Sequence, residues 1–109
     1  MSWELVYLPE AETDYYNLSR RQQIMTDKAI KRVKENPLPY NEGGYGKPLG
    51  HKLGRNLTGY LKIKLRDEGI RVVYKLIRTK NTMLVVVIGI REDEEVYEMA
   101  HRRITKYKL

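Results

Sequence analysis

The sequence predicts an α+β fold: a small single domain with a curved, mostly antiparallel four-stranded sheet, two N-terminal helices packed on one face of it, and a C-terminal helix. Three observations carry this expectation. Residues 57–89 hold three β-prone runs in succession, separated only by tight turns, as neighbouring antiparallel strands require. The last run, residues 83–88, is apolar on both faces and belongs in the middle of a sheet. Apolar residues recur at helical spacing on either side of this block, at Met25, Ala29, Ile30 and Val33 before it and at Val96, Met99, Ala100 and Ile104 after it. The order is therefore β-α-α-β-β-β-α.

Each element has a local cause. Residues 3–8 are short and β-prone and form the first strand. Pro9 suits the first turn of a helix, where its missing N–H has no intrahelical partner. Glu10, Glu12 and Asp14 favour the positive end of that helix, which runs as far as Leu18. Ser19 caps a second helix, with Gln22 where a capping box places Glu or Gln, and Asn36-Pro37 ends it. Between residues 37 and 56 Pro and Gly are so frequent that a long loop is expected. Such loops in compact domains serve function or move. Its glycines match neither a Walker spacing nor Gly-x-Gly-x-x-Gly. Residues 57–66, 70–78 and 82–89 are the following strands, turning at Asp67-Glu68-Gly69 and Thr79-Lys80-Asn81. Glu92 to Glu95 open the last helix, and Arg102, Arg103, Lys106 and Lys108 load its other end, as a solvated helix favours.

At 109 residues the chain, 1–109, is one domain with room for one modest core. It has no Cys, hence no disulfide framework and no thiolate metal site. His51 and His101 are isolated, so a zinc site is not expected. The longest apolar run is too short to span a bilayer, and no leader pattern opens the chain. The expectation is a soluble cytoplasmic protein without membrane, metal or small-molecule cofactor.

The net charge of +7 gains meaning from its location. Residues 43–78 contain nine cations and two anions, while the rest of the chain carries 12 of each. The whole surplus sits in one third of the sequence, which points to a polyanionic partner, nucleic acid or an acidic protein. Leu61, Ile63 and Leu65 alternate with Lys62, Lys64 and Arg66, so a strand here has one apolar and one cationic face. The returning strand brings Arg71 beside those cations. With both N-terminal helices on the apolar face, the other face is expected to show Lys62, Lys64, Arg66 and Arg71 to solvent. Tyr74 shares a face with Ile70, Val72 and Leu76 and belongs to the core.

Lys62-Ile63-Lys64-Leu65-Arg66, then Gly69-Ile70-Arg71-Val72-Val73-Tyr74, then Gly89-x-Arg91 followed by Glu95-Val96-Tyr97 closely resemble the RelE-type mRNA-cleaving toxins of the RelE/ParE toxin–antitoxin superfamily. Lys47-Pro48-Leu49-Gly50 is similar to the superfamily's short element ahead of the hairpin. The resemblance covers the element order of the whole chain, and its specific part is residues 57–103. It implies a ribosome-dependent endoribonuclease that cuts mRNA in the small-subunit decoding site without metal, inhibiting translation. The 2′-hydroxyl before the scissile bond would attack, leaving a 2′,3′-cyclic phosphate and a 5′-hydroxyl. By position Lys62 and Lys64 correspond to the paired catalytic lysines, Arg71 to the strand arginine, Arg91 to the strand-end arginine and Tyr97 to the C-terminal tyrosine. Lys47, Lys52, Arg55, Arg66 and Lys75 would contact RNA or ribosome. The implied protein partner is a cognate antitoxin, an amphipathic segment that folds on binding and covers the basic face or displaces the last helix.

These residue types suit that chemistry. Attack on a phosphodiester builds charge on its non-bridging oxygens, and fixed cations can meet it. Lys62 and Lys64 lie two apart on one strand, about 7 Å between Cα atoms. Free Tyr and Lys hold their protons too tightly to act as bases at neutral pH, and surrounding cations shift both types in the useful direction. Tyr97 as base or as a stacking group, and Lys64 as base, are both open, with Arg91 stabilising the leaving 5′-oxygen. No His or carboxylate is well placed to serve as base. Two other functions fit the fold: a ParE-type toxin that inhibits DNA gyrase and cleaves nothing, or a basic domain that only binds its antitoxin. The ParE-type reading does not explain why Lys62, Lys64, Arg71, Arg91 and Tyr97 occur together.

Overall fold

The computed structural model describes residues 3–52, 54–90 and 92–109, and of residue 52 the backbone alone. Strand β1 is Glu4–Tyr7, followed by helices α1, Pro9–Tyr16, and α2, Arg20–Lys34. Strands β2, Lys47–Lys52, β3, Arg55–Leu65, β4, Ile70–Ile77, and β5, Thr82–Gly89, lead to helix α3, Asp93–Tyr107. Among the described residues these strands form one sheet in the order β1-β5-β4-β3-β2. β1 runs parallel to β5 and the other three pairings are antiparallel. The α+β class is as expected, with one strand more than four.

The extra strand is β2, inside the segment expected to be a loop. Its proline is tolerated because β2 is an edge strand, and a register shift between Pro48 and Gly50 absorbs the irregularity. Leu49 meanwhile turns inward and is buried. The expected capping box is present: Ser19 Oγ accepts from the Gln22 N–H at 3.2 Å, and Gln22 Oε1 accepts from the Ser19 N–H at 2.9 Å. Ile30 and Val33 of α2 enter the core together with Thr26. Met25 and Ala29, expected in the same stripe, instead line a groove beside Leu65. Tyr74 is fully buried, and its hydroxyl donates to the Pro37 carbonyl at 2.8 Å.

All eight residues of β5 are buried, because both faces of the sheet are covered. Strand alternation sends Leu65 toward α2 and Lys62 the opposite way, where Tyr97 of α3 lies over it. The face expected to be open to solvent therefore carries a helix. α3 approaches so closely that a Cβ on Gly89 would come within 2.8 Å of Val96 Cγ2, so a larger residue at the end of β5 would force Val96 to shift.

The far end of α3 is anchored rather than solvated. β1 stops pairing at Tyr7 opposite Val85, which leaves the next edge groups of β5 to side chains. Asp14 of α1 accepts from the Ile88 N–H at 3.0 Å, and Arg103 of α3 donates to the Val86 carbonyl at 2.9 Å and to Asp14 at 2.6 Å. Lys106 and Tyr107 both donate to Glu10 of α1, at 2.8 and 2.7 Å.

Candidate active site

The hairpin register sets the site. Lys64 stands opposite Arg71 and Lys62 opposite Val73. Arg71 in turn stands opposite Gly89 of β5, and Lys47 of β2 opposite Lys62. Opposed residues share a face, so Lys47, Lys62, Lys64 and Arg71 lie together where β3 and β5 finish and β4 begins. α3 starts at that corner and lowers Tyr97 into it. Lys62 Nζ donates to the Tyr97 hydroxyl at 3.0 Å and lies 5.7 Å from the ring centroid. Lys62 is 8% exposed and Tyr97 2%. Burial of an ammonium this deep is costly without a partner, and the phenol oxygen and ring face offset that cost.

Arg71 is likewise covered, with its side chain 16% exposed. Its Nη1 donates to the Gly69 carbonyl at 3.2 Å, and its Nε donates to Asp93 Oδ1 in an ion pair. Asp93 is the first residue of α3, where the helix N-terminus also favours negative charge. Partial burial pushes the Asp93 carboxyl up, but the hydrogen bond and charge of Arg71, aided by Lys64 and Lys62, outweigh it and hold the group below its usual range. Lys64 is exposed.

The structure thus gathers Lys62, Lys64, Arg71 and Tyr97 at one corner. Arg91 and the side chain of Lys52 lie outside the described residues. Lys47 is exposed and extends the row. Arg55 pairs with Glu98 of α3 at 3.4 Å. Lys75 lies 5.6 Å from the ring centroid of Tyr60, about 13 Å along β4 from Arg71. Arg66 falls beyond the end of β3 and lines the groove with Met25 and Ala29, so it belongs to the α2 side and not to the cationic corner. Asp93 also stands at this corner, paired with Arg71. Its acidity was visible in the sequence but fully accounted for by the helix dipole, which concealed a second role. Among the described residues no group of three or more His, Cys, Asp or Glu is placed to hold a metal ion, and no helix is long and apolar enough to cross a membrane.

A small α+β domain whose central hairpin presents two lysines and an arginine beneath a tyrosine from the last helix has the architecture of RelE/ParE-type toxins. The chain is 30% identical over 105 residues to a RelE-like toxin protein of Escherichia coli, covering 95% of this chain and 99% of that one. The chain belongs to the RelE-like toxin family. A shorter match, 44% identical over 50 residues, joins it to the mRNA interferase toxin RelE of Escherichia coli strain K12, spanning 46% of this chain and 53% of that protein. Among solved structures, a double-arginine mutant of the E. coli toxin RelE in the free state superposes with a TM-score of 0.73 at 30% identity, covering 95% of this chain and 99% of that chain. A RelE mutant in complex with a peptide of the antitoxin RelB gives 0.69 at 28% identity, covering 92% and 95%. No family model matches.

Proposed function

We propose that the chain is the toxin of a toxin–antitoxin pair and acts as an endoribonuclease that cuts mRNA in the ribosomal decoding site, in the cytoplasm. The observation that carries this reading is the contact between Lys62 and Tyr97, which joins the hairpin to α3 and puts a phenol among Lys62, Lys64 and Arg71. A toxin that only binds its target needs no such convergence. Relatives named as mRNA interferases support the activity, and RelE structures bound to RelB support a cognate antitoxin.

In this reading the 2′-hydroxyl oxygen attacks the adjacent phosphorus and the bond to the 5′-oxygen breaks. The products are a 2′,3′-cyclic phosphate and a 5′-hydroxyl. The proton of the 2′-hydroxyl passes to the free amine of Lys64, whose exposed side chain lies beside Arg71. Arg71 and Lys62 face the charge that grows on the non-bridging oxygens. Tyr97, held by Lys62, orients the reacting nucleotide. Arg91 meets the charge of the leaving 5′-oxygen, which takes its proton from water.

Mapping mRNA 5′ ends in cells that express the chain tests this. Cuts within codons are expected, and Lys64→Ala or Tyr97→Phe should slow them by about 10²–10³. Intact mRNA with accumulating gyrase-linked DNA breaks would sink the reading. If Lys64 is the base, Lys64→Ala changes the shape of the pH–rate profile on ribosomes and Tyr97→Phe keeps it.

A further inference from the structure

The ion pair between Arg71 and Asp93 occupies the place where the proposed reaction needs an anion to bind. Carboxylate and phosphodiester oxygens accept the same charge-assisted hydrogen bonds from a guanidinium. Arg71 has its Nε engaged by Asp93 and its Nη1 by the Gly69 carbonyl. The Asp93 side chain is 38% exposed against 16% for Arg71, so the carboxylate is the more accessible partner of the pair. Lys64, on the opposed strand position, and Lys62 act on the same carboxylate. We propose that Asp93 holds the anion seat of Arg71 in the free protein and that an RNA phosphodiester takes the seat by displacing it. Asp93 is then a positioning residue for phosphate recognition. The proposal rests on the endoribonuclease reading for its substrate, RNA.

In the free chain Asp93 compensates a cluster that contains an almost buried ammonium and a covered guanidinium, and leaving such cations without a counter-charge is unfavourable. Toward ligands the same carboxylate acts as a competitor. Loose anions have to replace a tethered one, whereas a strand held in place by other contacts has less to overcome, so the device discriminates against free RNA. Asp93 therefore stabilises the fold and weakens binding at the same time. A residue that merely clamped α3 would support both, and a general base would act on the chemical step.

The test uses the purified full chain, Asp93→Asn and Asp93→Glu, with a trinucleotide carrying 2′-deoxy substitution at the scissile position so that it cannot be cut. Asp93→Asn should melt at a lower temperature yet bind the trinucleotide roughly two- to fivefold tighter, the scale of one partly exposed ion pair. Asp93→Glu should resemble the parent in both. Equal, weaker or absent binding by Asp93→Asn overturns the proposal. Should Asp93→Asn not fold, the parent decides alone: the NMR signal of the Arg71 Nε–H must move as the trinucleotide saturates, and a signal that stays put overturns the idea. On ribosomes, Asp93→Asn should lower KM by a similar factor with kcat unchanged. A kcat loss of about 10² or more at constant KM would make Asp93 the base instead. If the parent cuts no ribosome-bound mRNA while the trinucleotide affinities still separate, the endoribonuclease reading fails and the anion seat stands.

Discussion

Lys62 and Tyr97 are paired, but removing one is not equivalent to removing the other. Tyr97→Phe takes the acceptor from an ammonium that is 8% exposed, which should cost about 1–3 kcal/mol of stability, or roughly 4–8 °C of melting temperature per kcal/mol. Lys62→Met removes the charge itself and keeps most of the volume, so stability should hold within about 1.5 kcal/mol. Cleavage should still fall by about 10²–10³ in Lys62→Met, because the phosphate loses a fixed cation. Thermal melts of both variants beside single-turnover cleavage check this, and a Lys62→Met that melts well below Tyr97→Phe contradicts it. The face on which Lys62 lies was legible in the sequence, since the alternation with Leu61 and Ile63 admits only one assignment. Its burial was not, because the ring that covers it comes from a helix 35 positions later. Asp93 was hidden in the same way: its partner Arg71 stands 22 positions earlier, and nothing local connects the two.

Helix α3 is legible in the sequence only in part. Its apolar stripe was readable, and Val96 and Ala100 are fully buried as the spacing implies. The basic end has the sequence of a solvated helix terminus, yet Arg103 closes the edge of β5 and Lys106 reaches Glu10, contacts that depend on how α1 lies in space. The missed strand β2 has a similar cause, since Pro48 and Gly50 look like loop residues until an edge position and a register shift accommodate them. The tether on Glu10 has a pH signature. Hydrogen bonds from Lys106 and then Tyr107 lower its carboxyl from 4.5 to about 2. A carboxyl lowered by folding adds stability that is complete above its unfolded pKa and disappears as pH falls through the folded one. The Asp93 carboxyl, also lowered, works in the same direction. Glu10→Gln should therefore melt below the parent at neutral pH, by no more than about 1 kcal/mol given that the Lys106 side chain is 65% exposed. The gap should close between pH 4.5 and about 2. Circular-dichroism melts across that range decide it, and a gap that survives at the acid end rules the tether out as its source.

Across the whole molecule the charge is distributed differently from its distribution along the chain. Counted by position, the surplus of +7 falls within residues 43–78, because acids near the two ends cancel the remaining cations. In space α2 exposes Arg20, Arg21, Lys28, Lys31 and Arg32, while its one acid, Asp27, accepts from the Tyr15 hydroxyl at 2.7 Å. That helix packs on the opposite face of the sheet from Tyr97, so the molecule is basic on two sides and only one of them holds the candidate site. Long-range attraction to a polyanion responds to both sides, whereas bond cleavage responds to the corner beneath α3. Reversing charge on α2 with Lys28→Glu and Lys31→Glu should weaken binding to a non-cleavable mRNA fragment and flatten its salt dependence, by about 0.7 in the log–log slope for each single-strand phosphate that is no longer neutralised. The single-turnover cleavage rate on saturated ribosomes should stay unchanged. Lys47→Glu, one strand away from Lys62 on the site's own face, should flatten the same slope and also slow the cut. Affinities at a series of salt concentrations, set beside single-turnover rates, separate these outcomes. A cleavage rate that collapses in the α2 double variant while Lys47→Glu still cuts normally would mean that RNA approaches the opposite face from the one the lysine pair, Arg71 and Tyr97 define.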